Sequence, residues 1–473
     1  MDIVLINPNP CASGMNEATV EPPIGLAYIA SMLEKEKFTC SIIDANLLGL
    51  SPEEIASEIT WDPKIIGFYV NSFVYSSVRK LCGMLKNLKK NTFFLAGGPA
   101  PSVIDPELFL KDINCDALIK GEGEYAVLKI MQNIKKGKYP FDESVPGLAW
   151  FSDSRLIVNP TERIKNLDEI PFPAYHLLPD FRKYRTRSRK SPSAAMITSR
   201  GCTFSCTFCS KDIFGNKTTL RSAENVLNEI DFLVEKHKIR QIDILDDNFA
   251  QNKKRLNDIL DGLIKRKYDL VINLQSGIRI ENIDDEILIK FRKAGVYKLA
   301  FGVESADENV LKIHKKQLNL HALSEVVIKS RKMGFVVYGF FIIGLPGETR
   351  DAFERTLEYA KNSGFHIANF CMAVPFVNTE LWRMVEKNGK FLIDTSKNID
   401  IGFYGGKVFF EYPGFTEKEI LQRYKKAYKE FYTLTRQISI LLSVRSFDEI
   451  KWLFNAGLSV LKGMFSETFT SKF

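Results

Sequence analysis

Three cysteines, Cys202, Cys206 and Cys209, follow directly after a predicted strand in a chain of 473 residues. Their C-x3-C-x2-C spacing offers three thiolates from one loop. Three thiolates can bind three irons of a cubic four-iron cluster and leave the fourth iron open to a small ligand. A structural zinc site normally has a fourth Cys or His ligand, but the nearest histidines are His176 and His237. The spacing therefore predicts an iron–sulfur cluster; the alternative is three core cysteines that share a loop by chance.

The composition is that of a globular protein with several domains. Hydrophobic residues make up 45% of the chain and charged residues 26%, and the formal net charge is +8. This modest charge demands no nucleic-acid partner, and none is expected. Eight cysteines are too few for a disulfide framework. No apolar run reaches the ~18 residues of a membrane span, and residues 1–6 lack a signal-peptide pattern, so a cytoplasmic location is expected.

The first part of the chain, residues 1–140, alternates short β-branched runs with amphipathic helical patterns. This alternation predicts a doubly wound, Rossmann-like parallel sheet of an α/β fold. Ligands on such sheets bind beyond the carboxyl ends of the strands, which here include residues 97–102 and 121–124. Residues 141–193 are interpreted as a linker. Its basic run, residues 182–190, is either a solvated surface or a patch for an anionic substrate or membrane.

A second alternating pattern over residues 194–385 predicts a partial (β/α)6 barrel, in which chemistry collects at the carboxyl ends of the strands. The cysteine loop follows its first strand. Residues 386–473 are predicted to be helical. Within them, residues 447–465 form an amphipathic pattern that is expected to pack mainly on the protein, with peripheral membrane contact as the alternative. The six predicted barrel strands are residues 194–199, 241–245, 270–276, 298–303, 336–343 and 367–374.

The cysteine loop, with Phe208 before its last cysteine, resembles the radical S-adenosylmethionine (SAM) superfamily. That resemblance implies a [4Fe-4S] cluster whose open iron binds the amino and carboxylate groups of SAM. It also implies an external electron donor, such as flavodoxin or ferredoxin, and a 5′-deoxyadenosyl radical that abstracts a substrate hydrogen. Phe208 would lie against the adenine side of the cofactor.

Further barrel residues match the same superfamily in order. By resemblance, Asp246 and Asp247 after the second strand would contact the methionine amino group. Glu304 and Ser305 after the fourth strand would contact the ribose or carboxylate side of SAM. At the fifth strand, the 343–344 backbone, Ile343 and Gly344, would approach the adenine. The alternatives are solvated loop carboxylates, a salt bridge at the barrel rim and a plain strand-to-helix turn.

The N-terminal segments 22–28, 43–45, 96–99 and 120–124 resemble cobalamin-binding domains fused to radical SAM barrels. The resemblance implies that cobalamin binds with its tail in the sheet, where Gly97 and Gly98 leave room for it. Ser102, Gly121 and Glu122 belong to the same predicted cofactor surface. Since no histidine precedes His176, this domain supplies no His ligand to cobalt. The alternative is a domain that has lost its cofactor.

These resemblances imply a cobalamin-dependent radical SAM enzyme that methylates an unactivated carbon. One SAM would methylate cobalamin and another would generate the radical. The alternatives are radical cyclisation or rearrangement without methyl transfer and, as a different class, a cobalamin-binding sensor. No motif reads the substrate, which is expected to be an organic molecule such as a lipid or a natural-product intermediate.

Overall fold

The first sheet is built from apolar strands with helices on both faces. The computed structural model describes residues 1–10, 20–184, 186, 188–393, 407–451 and 454. Seven strands lie in the order β2-β1-β3-β4-β5-β6-β7. The first five pair in parallel, as their nearly continuous apolar sequences predict. The strands are β1 (Ile3–Asn7), β2 (Cys40–Asp44), β3 (Ile65–Tyr69), β4 (Phe93–Gly97), β5 (Ala117–Ile119), β6 (Leu148–Ser152) and β7 (Arg155–Val158).

Seven helices connect or follow these strands. Several begin at a side-chain cap: Asp44, Ser51 and Asp105 each accept a backbone N–H from the first turn. The helices are α1 (Ile24–Lys35), α2 (Ala45–Leu48), α3 (Pro52–Glu58), α4 (Tyr75–Leu88), α5 (Pro99–Val103), α6 (Pro106–Ile113) and α7 (Glu124–Lys135). The expectation of a doubly wound parallel sheet is thus confirmed.

Residues 141–193 are more ordered than a linker. β6 and β7 fall inside this range and add an antiparallel hairpin to the edge of the first sheet. The following segment packs Tyr175, Phe181 and Tyr184 into a core that also contains residues of α1 and of the barrel. Helix α1 and the barrel therefore share one apolar core, which fixes this helix against the barrel.

Six parallel strands form the partial barrel, in the order β8-β11-β12-β13-β14-β15. This confirms the barrel expected from the sequence. The strands of this second half are β8 (Ser193–Met196), β9 (Ser199–Arg200), β10 (Thr219–Leu220), β11 (Gln241–Ile244), β12 (Val271–Ile278), β13 (Val296–Glu304), β14 (Val336–Ile343), β15 (Ile367–Met372), β16 (Lys390–Phe391) and β17 (Phe410–Glu411).

The helices of the second half begin at Ser, Asp, Asn or Thr caps, whose side chains accept backbone N–H groups. They are α8 (Ala223–His237), α9 (Lys253–Arg266), α10 (Asp285–Lys293), α11 (Glu308–Ile313), α12 (Leu320–Lys332), α13 (Arg350–Asn362), α14 (Glu380–Asn388), α15 (Glu417–Phe431) and α16 (Leu434–Ser443). In the part of the chain that the structure describes, no helix has the length and apolarity to cross a bilayer.

Helix α15 covers the outer strands of the barrel. The Tyr428 hydroxyl donates to the carbonyl of Phe370 at 3.1 Å, and that of Tyr432 donates to the carbonyl of Ala368 at 2.8 Å. Helix α16, in contrast, buries none of its residues among the described parts of the chain. Most of the predicted amphipathic segment, residues 447–465, lies outside the described residues.

Candidate active site

The cysteine loop starts at a glycine that no other residue could replace. Gly201 has φ +86°, and a Cβ there would lie 2.2 Å from the carbonyl oxygen of Lys217. Its N–H donates to Asp247 Oδ2 at 2.7 Å. Further along the loop, the Cys209 N–H donates to the carbonyl of Cys206 at 3.2 Å. The loop is therefore a wrapped turn at the carboxyl end of the barrel.

The chemistry of the loop fits a cluster held by three thiolates. Cys202 and Cys206 are half-buried, Cys209 is exposed, and none of the three is in a disulfide. Burial raises the pKa of the Cys206 thiol, while Lys316 and Arg279 act in the opposite direction. Thiolate is the form that binds metal, so these two cations favour the ligating form of Cys206.

His314 anchors the middle of the loop. The carbonyl of His314 accepts the Thr207 N–H at 3.2 Å, and its Nδ1 lies 2.5 Å from the Thr207 hydroxyl. Its Nε2 lies 2.8 Å from the carbonyl of Pro346, so Nε2 carries the proton and Nδ1 accepts from Thr207. Burial lowers the pKa of His314. Sequence reasoning gave this histidine no role, because its partner is more than 100 positions away.

Phe208, the residue predicted to lie beside adenine, belongs to the cysteine loop and lies close to His314. Its ring centroid is 6.2 Å from that of His314, and its side chain packs on the barrel core. Its contact with SAM stays a prediction.

The two aspartates after β11 differ in burial. Asp246 is buried and accepts hydrogen bonds from the Thr198 N–H, the Thr198 hydroxyl and the Ser199 hydroxyl. It therefore positions the segment before the cysteine loop, and its contact with the methionine amino group stays a prediction. Asp247 is exposed and holds Gly201, so it is the aspartate that could also reach SAM.

Glu304 forms a buried ion pair beside the cysteines. Lys316 Nζ lies 2.7 Å from Glu304 Oε1, and both side chains are largely shielded from solvent. A Cβ on Gly302 would lie 2.5 Å from Glu304 Oε1 and 2.9 Å from Lys316 Nζ, so this glycine makes room for the pair. Arg279 donates to the Lys316 carbonyl at 3.0 Å. Sequence reasoning missed Lys316, which no motif marks.

Ser305 does not face the site as predicted. It is buried, its hydroxyl accepts the Asp307 N–H at 3.1 Å, and it lies 3.2 Å from the Thr356 hydroxyl. These contacts start α11, so Ser305 positions the strand end, and the contacts of Ser305 and Glu304 with SAM stay predictions.

The turn at Ile343 and Gly344 is locked to α15. The Gly344 N–H donates to Glu348 Oε2 at 3.3 Å, and Glu348 Oε1 lies 3.0 Å from Arg423 Nη1. Burial raises the pKa of Glu348 to about 7, although Arg423 and the Gly344 N–H act against this. A Cβ on Gly344 would meet Ile420, so this glycine packs against α15. Helix α15 thus fixes the position of this turn. The contact of the turn with adenine stays a prediction.

At the edge of the first sheet, the two glycines differ. A Cβ on Gly97 would meet no atom within 4 Å. A Cβ on Gly98, at φ +112°, would lie 2.8 Å from the carbonyl oxygen of Val70. Gly98 is thus required by the backbone rather than by a ligand, which corrects its predicted role. Gly97 borders open space, and this fits a slot for a cofactor tail.

Ser102 and Gly121 tie two neighbouring loops of this edge together. The Ser102 hydroxyl donates to the carbonyl of Gly98 at 2.9 Å and accepts the Gly121 N–H at 3.0 Å. Ser102 is buried by these contacts. Both residues lie at the predicted cobalamin surface. The Ser102 hydroxyl makes both of its hydrogen bonds within the protein.

Glu122, in the loop after β5, forms an ion pair with a residue of the barrel. Arg200, the residue before Gly201, donates to Glu122 Oε1 and to Glu124 Oε1, each at 2.6 Å. All three side chains are buried, and the other Glu122 oxygen accepts the Ile164 N–H at 2.8 Å. Glu122 therefore forms an interdomain contact, and its predicted role at the cofactor surface stays a prediction. We call Arg200, Glu122 and Glu124 the interdomain clamp.

The clamp brings the functional edges of both sheets together. It joins the loop after β5 to the cysteine loop, and Asn378, beyond β15, donates to the carbonyl of Val103 at 3.1 Å. The carboxyl ends of the first sheet and of the barrel thus meet at one place.

A cavity of about 480 Å³ opens within the barrel. The segment before α1 contributes Glu21, whose Oε1 accepts from Gln275 Nε2 at 2.5 Å. Lys298 Nζ lies 4.4 Å from the centre of the Tyr338 ring. Its lining residues are Glu21, Leu245, Gln275, Ser276, Lys298, Tyr338, Phe340, Ile367, Ala368, Asn369, Tyr428 and Tyr432. The cavity combines aromatic walls with a few buried polar groups.

Two family models match the chain. The radical SAM superfamily matches residues 196–360, and the B12 binding domain matches residues 16–130. An uncharacterized methyltransferase of Pyrococcus horikoshii is 32% identical over 91% of this chain and 92% of its own length. The chain belongs to the radical SAM enzymes that carry a cobalamin-binding domain. The cofactors of this enzyme are accordingly a [4Fe-4S] cluster, SAM and cobalamin, as the resemblance implied.

Other relatives of the enzyme differ in the reaction that they are named for. A cytidylyl-2-hydroxyethylphosphonate methyltransferase of Streptomyces wedmorensis is 28% identical over 82% of each chain. An anaerobic magnesium-protoporphyrin IX monomethyl ester cyclase of Rubrivivax gelatinosus is 27% identical over 81% of this chain and 70% of its own.

Two solved structures share the fold of the enzyme. The radical SAM methyltransferase TsrM of Kitasatospora setae, with cobalamin and a [4Fe-4S] cluster bound, superposes with TM-score 0.73 at 15% identity, covering 90% of this chain and 91% of its own. The cobalamin-dependent radical enzyme OxsB superposes with TM-score 0.77 at 19% identity, covering 97% and 71%. At these identities, the two superpositions show that the fold is shared.

Proposed function

We propose that this enzyme transfers a methyl group to an unactivated carbon of an organic substrate held in the barrel cavity. The observation that carries the proposal is the meeting of the two functional edges. The interdomain clamp places the loop after β5 against the cysteine loop, and Glu21 contributes to the cavity wall. One substrate can therefore be reached from both cofactor surfaces.

The cofactors supply two complementary chemistries when bound: SAM on the cluster gives a hydrogen-abstracting radical, and cobalamin gives a transferable methyl group. Cys202, Cys206 and Cys209 would hold the cluster. Asp247, Glu304 and Lys316 would orient SAM, because an accessible carboxylate suits its ammonium group and the Lys316 ammonium suits its carboxylate. Gly97 would leave room for the cobalamin tail, with no histidine from this domain on the cobalt.

The cavity favours a polar organic substrate with a flat or extended apolar body. Tyr338 and Phe340 offer ring faces, which bind apolar and aromatic groups. Lys298 and Gln275 offer donors for carboxylate or phosphate oxygens and for carbonyl groups. Glu21 adds a further polar group to the wall of the cavity.

The relatives named as methyltransferases support methyl transfer, and the anaerobic cyclases support a second candidate, radical cyclisation without methyl transfer. Both candidates need the same cluster, so the cysteines do not distinguish them. An external electron donor such as flavodoxin or ferredoxin is part of either proposal.

One anaerobic assay separates the candidates. The reconstituted enzyme receives SAM labelled in its methyl group, a reductant and candidate substrates, and 5′-deoxyadenosine and S-adenosylhomocysteine are quantified together. Methyl transfer predicts both products and the label in the substrate, whereas cyclisation predicts only 5′-deoxyadenosine. The Cys206→Ala variant is the control and should give no 5′-deoxyadenosine, because no His or further Cys is near enough in sequence to replace the thiolate. Label transfer at an undiminished rate by this variant would contradict the assignment of the cluster.

A further inference from the structure

Helix α16 turns an apolar stripe to solvent. Leu434, Ile438, Leu441 and Leu442 stand at i, i+4, i+7 and i+8, which places them on one helical face. Leu434, Leu441 and Leu442 are 74%, 63% and 70% exposed. Large apolar side chains grouped in this way mark an interaction surface, unlike scattered single ones. The residues that follow α16 extend the exposed apolar surface with Phe447, Ile450 and Phe454.

Beside this stripe lies a cavity of about 410 Å³, which we call the arginine pocket. It opens at the amino ends of β14 and β15, on the side of the barrel away from the cysteine loop. Leu442 lines it as well, so the pocket and the stripe are continuous. The titratable lining residues are Arg189, Arg292, Arg331, His366 and Arg445.

The positive charge of the arginine pocket is largely uncompensated. Glu449 lies 3.4 Å from Arg189 Nε and accepts the Arg445 N–H at 2.8 Å. Among the described residues, the guanidinium groups of Arg292, Arg331 and Arg445 make no ion pair and donate to backbone carbonyls instead. Within the described part of the chain, four arginines therefore face a single carboxylate.

The effect of this charge is visible on the neighbouring groups. Burial, and then Arg331 and Arg436, lower the pKa of His366 to about 4. Burial and Arg189 lower the pKa of Arg292. Positive charges that lie this close repel one another and create a positive potential. A bound anion would reduce that repulsion.

We propose that the face formed by α16 and the arginine pocket docks on an anionic lipid bilayer. The stripe of Leu434, Ile438, Leu441 and Leu442 enters the boundary between headgroups and acyl chains, and the arginine pocket binds lipid phosphates. This pairing of an apolar helix face with basic residues is how interfacial helices select anionic membranes.

Charge complementarity favours the bilayer over two other occupants. A second copy of the chain would bring the same positive pocket to the interface. The chain's own residues 455–473 carry one acidic side chain, Glu467, against Lys462 and Lys472. Neither occupant supplies the negative charge that the arginine pocket lacks, and a bilayer containing anionic phospholipid does.

The test is co-sedimentation of the full-length protein with vesicles of phosphatidylcholine, with or without phosphatidylglycerol. We expect binding to the anionic vesicles and little binding to the neutral ones. Arg331→Gln and Arg445→Gln should each weaken binding about fivefold, the equivalent of about 1 kcal/mol per basic residue at an anionic surface. Leu441→Ser with Leu442→Ser should weaken it at least tenfold through the loss of buried apolar area.

Matched controls exist elsewhere on the surface. Leu88, at the end of α4, is 62% exposed, and Arg182 is an exposed arginine paired with Asp180. Leu88→Ser and Arg182→Gln should bind vesicles like the natural chain. The proposal is overturned if the natural chain ignores anionic vesicles, or if the α16 variants bind as well as these controls. A change of oligomeric state in the leucine variants without any vesicle binding would instead assign the stripe to a second copy.

Discussion

Replacing Arg200 by Met should release the cysteine loop from the first sheet. Arg200 reaches both Glu122 and Glu124 at 2.6 Å, and its guanidinium also lies 5.3 Å from the centre of the Tyr28 ring. Burial acts to lower the pKa of Arg200, but the two carboxylates have the larger opposite effect, so the pKa is raised overall. The methionine would fill most of the volume and leave two buried carboxylates without their cation.

The size of the effect follows from burial. Removing one partner of a buried ion pair costs about 3–5 kcal/mol, because the remaining charge is left desolvated. Glu122 keeps the Ile164 N–H and Arg163, at 3.2 Å, as partners. Glu124 has no other ion pair among the described residues. We therefore expect a loss near the lower end of this range, about 3 kcal/mol, felt mainly at Glu124.

Hydrogen exchange of the backbone amides measures this loss of stability segment by segment, which a single unfolding transition of a chain with several domains would not do. A cost of about 3 kcal/mol corresponds to exchange that is roughly 150-fold faster, since 1.36 kcal/mol is a factor of ten. The acceleration should appear in residues 121–124 and 201–209. Glu124→Gln added to Arg200→Met should recover part of the protection, because it removes the uncompensated charge.

Arg182→Met is the matched control, since this exposed arginine pairs with a carboxylate too, that of Asp180. It should leave exchange at both segments unchanged, as exposed pairs contribute little. If Arg200→Met accelerates exchange no more than Arg182→Met does, the clamp does not hold the two loops together. Strict additivity of Arg200→Met and Glu124→Gln would likewise refute a direct coupling between them.

Three further variants probe separate parts of the molecule. Gly97→Leu should fill the open space at the sheet edge and reduce cobalamin retention, measured by its visible absorption, whereas Gly25→Ala, also free of contacts, should not. Gly302→Ala should separate Glu304 from Lys316 and weaken SAM binding at least tenfold in equilibrium dialysis; unchanged affinity would remove the pair from the SAM site. His366, with its pKa lowered from 6.5 to about 4, contributes stability above pH 6.5 that is lost as the pH falls toward 4. His366→Gln should therefore flatten the fall of the melting temperature in this window, by the equivalent of up to about 3 kcal/mol.

The sequence predicted the strands closely because their signal is local. β14 begins and ends where the predicted strand does, and β11 is one residue shorter than predicted. Buried parallel strands must be apolar on both faces, so a short uninterrupted run is sufficient evidence for them. The hairpin of β6 and β7 was missed because it lies at the edge of the sheet, where β7 is partly exposed and its pattern is weak.

The site was predictable only where its residues are neighbours in sequence. The cysteine triad is continuous in the chain, and its spacing alone indicates its chemistry. The adjacent pair Asp246 and Asp247 illustrates the limit, since two aspartates at neighbouring positions differ in burial. Composition does not tell which of the two faces the Thr198 backbone and which faces solvent. Lys316 and His314 were missed for a related reason, because they reach the loop from the far end of α11.

Three of the residues predicted to bind cofactors also hold loops in place, and this has a common consequence for function. Asp246, Ser305 and Glu122 each accept hydrogen bonds from backbone N–H groups or from a buried cation, and their contacts with cofactors stay predictions. A loop that is already held loses little entropy when a reaction requires a fixed geometry. The interdomain clamp matters most in this respect, because Arg200 is next to Gly201, where the cysteine loop begins. The position of the cysteine loop relative to the carboxyl edge of the first sheet is thus set by contacts within the protein itself.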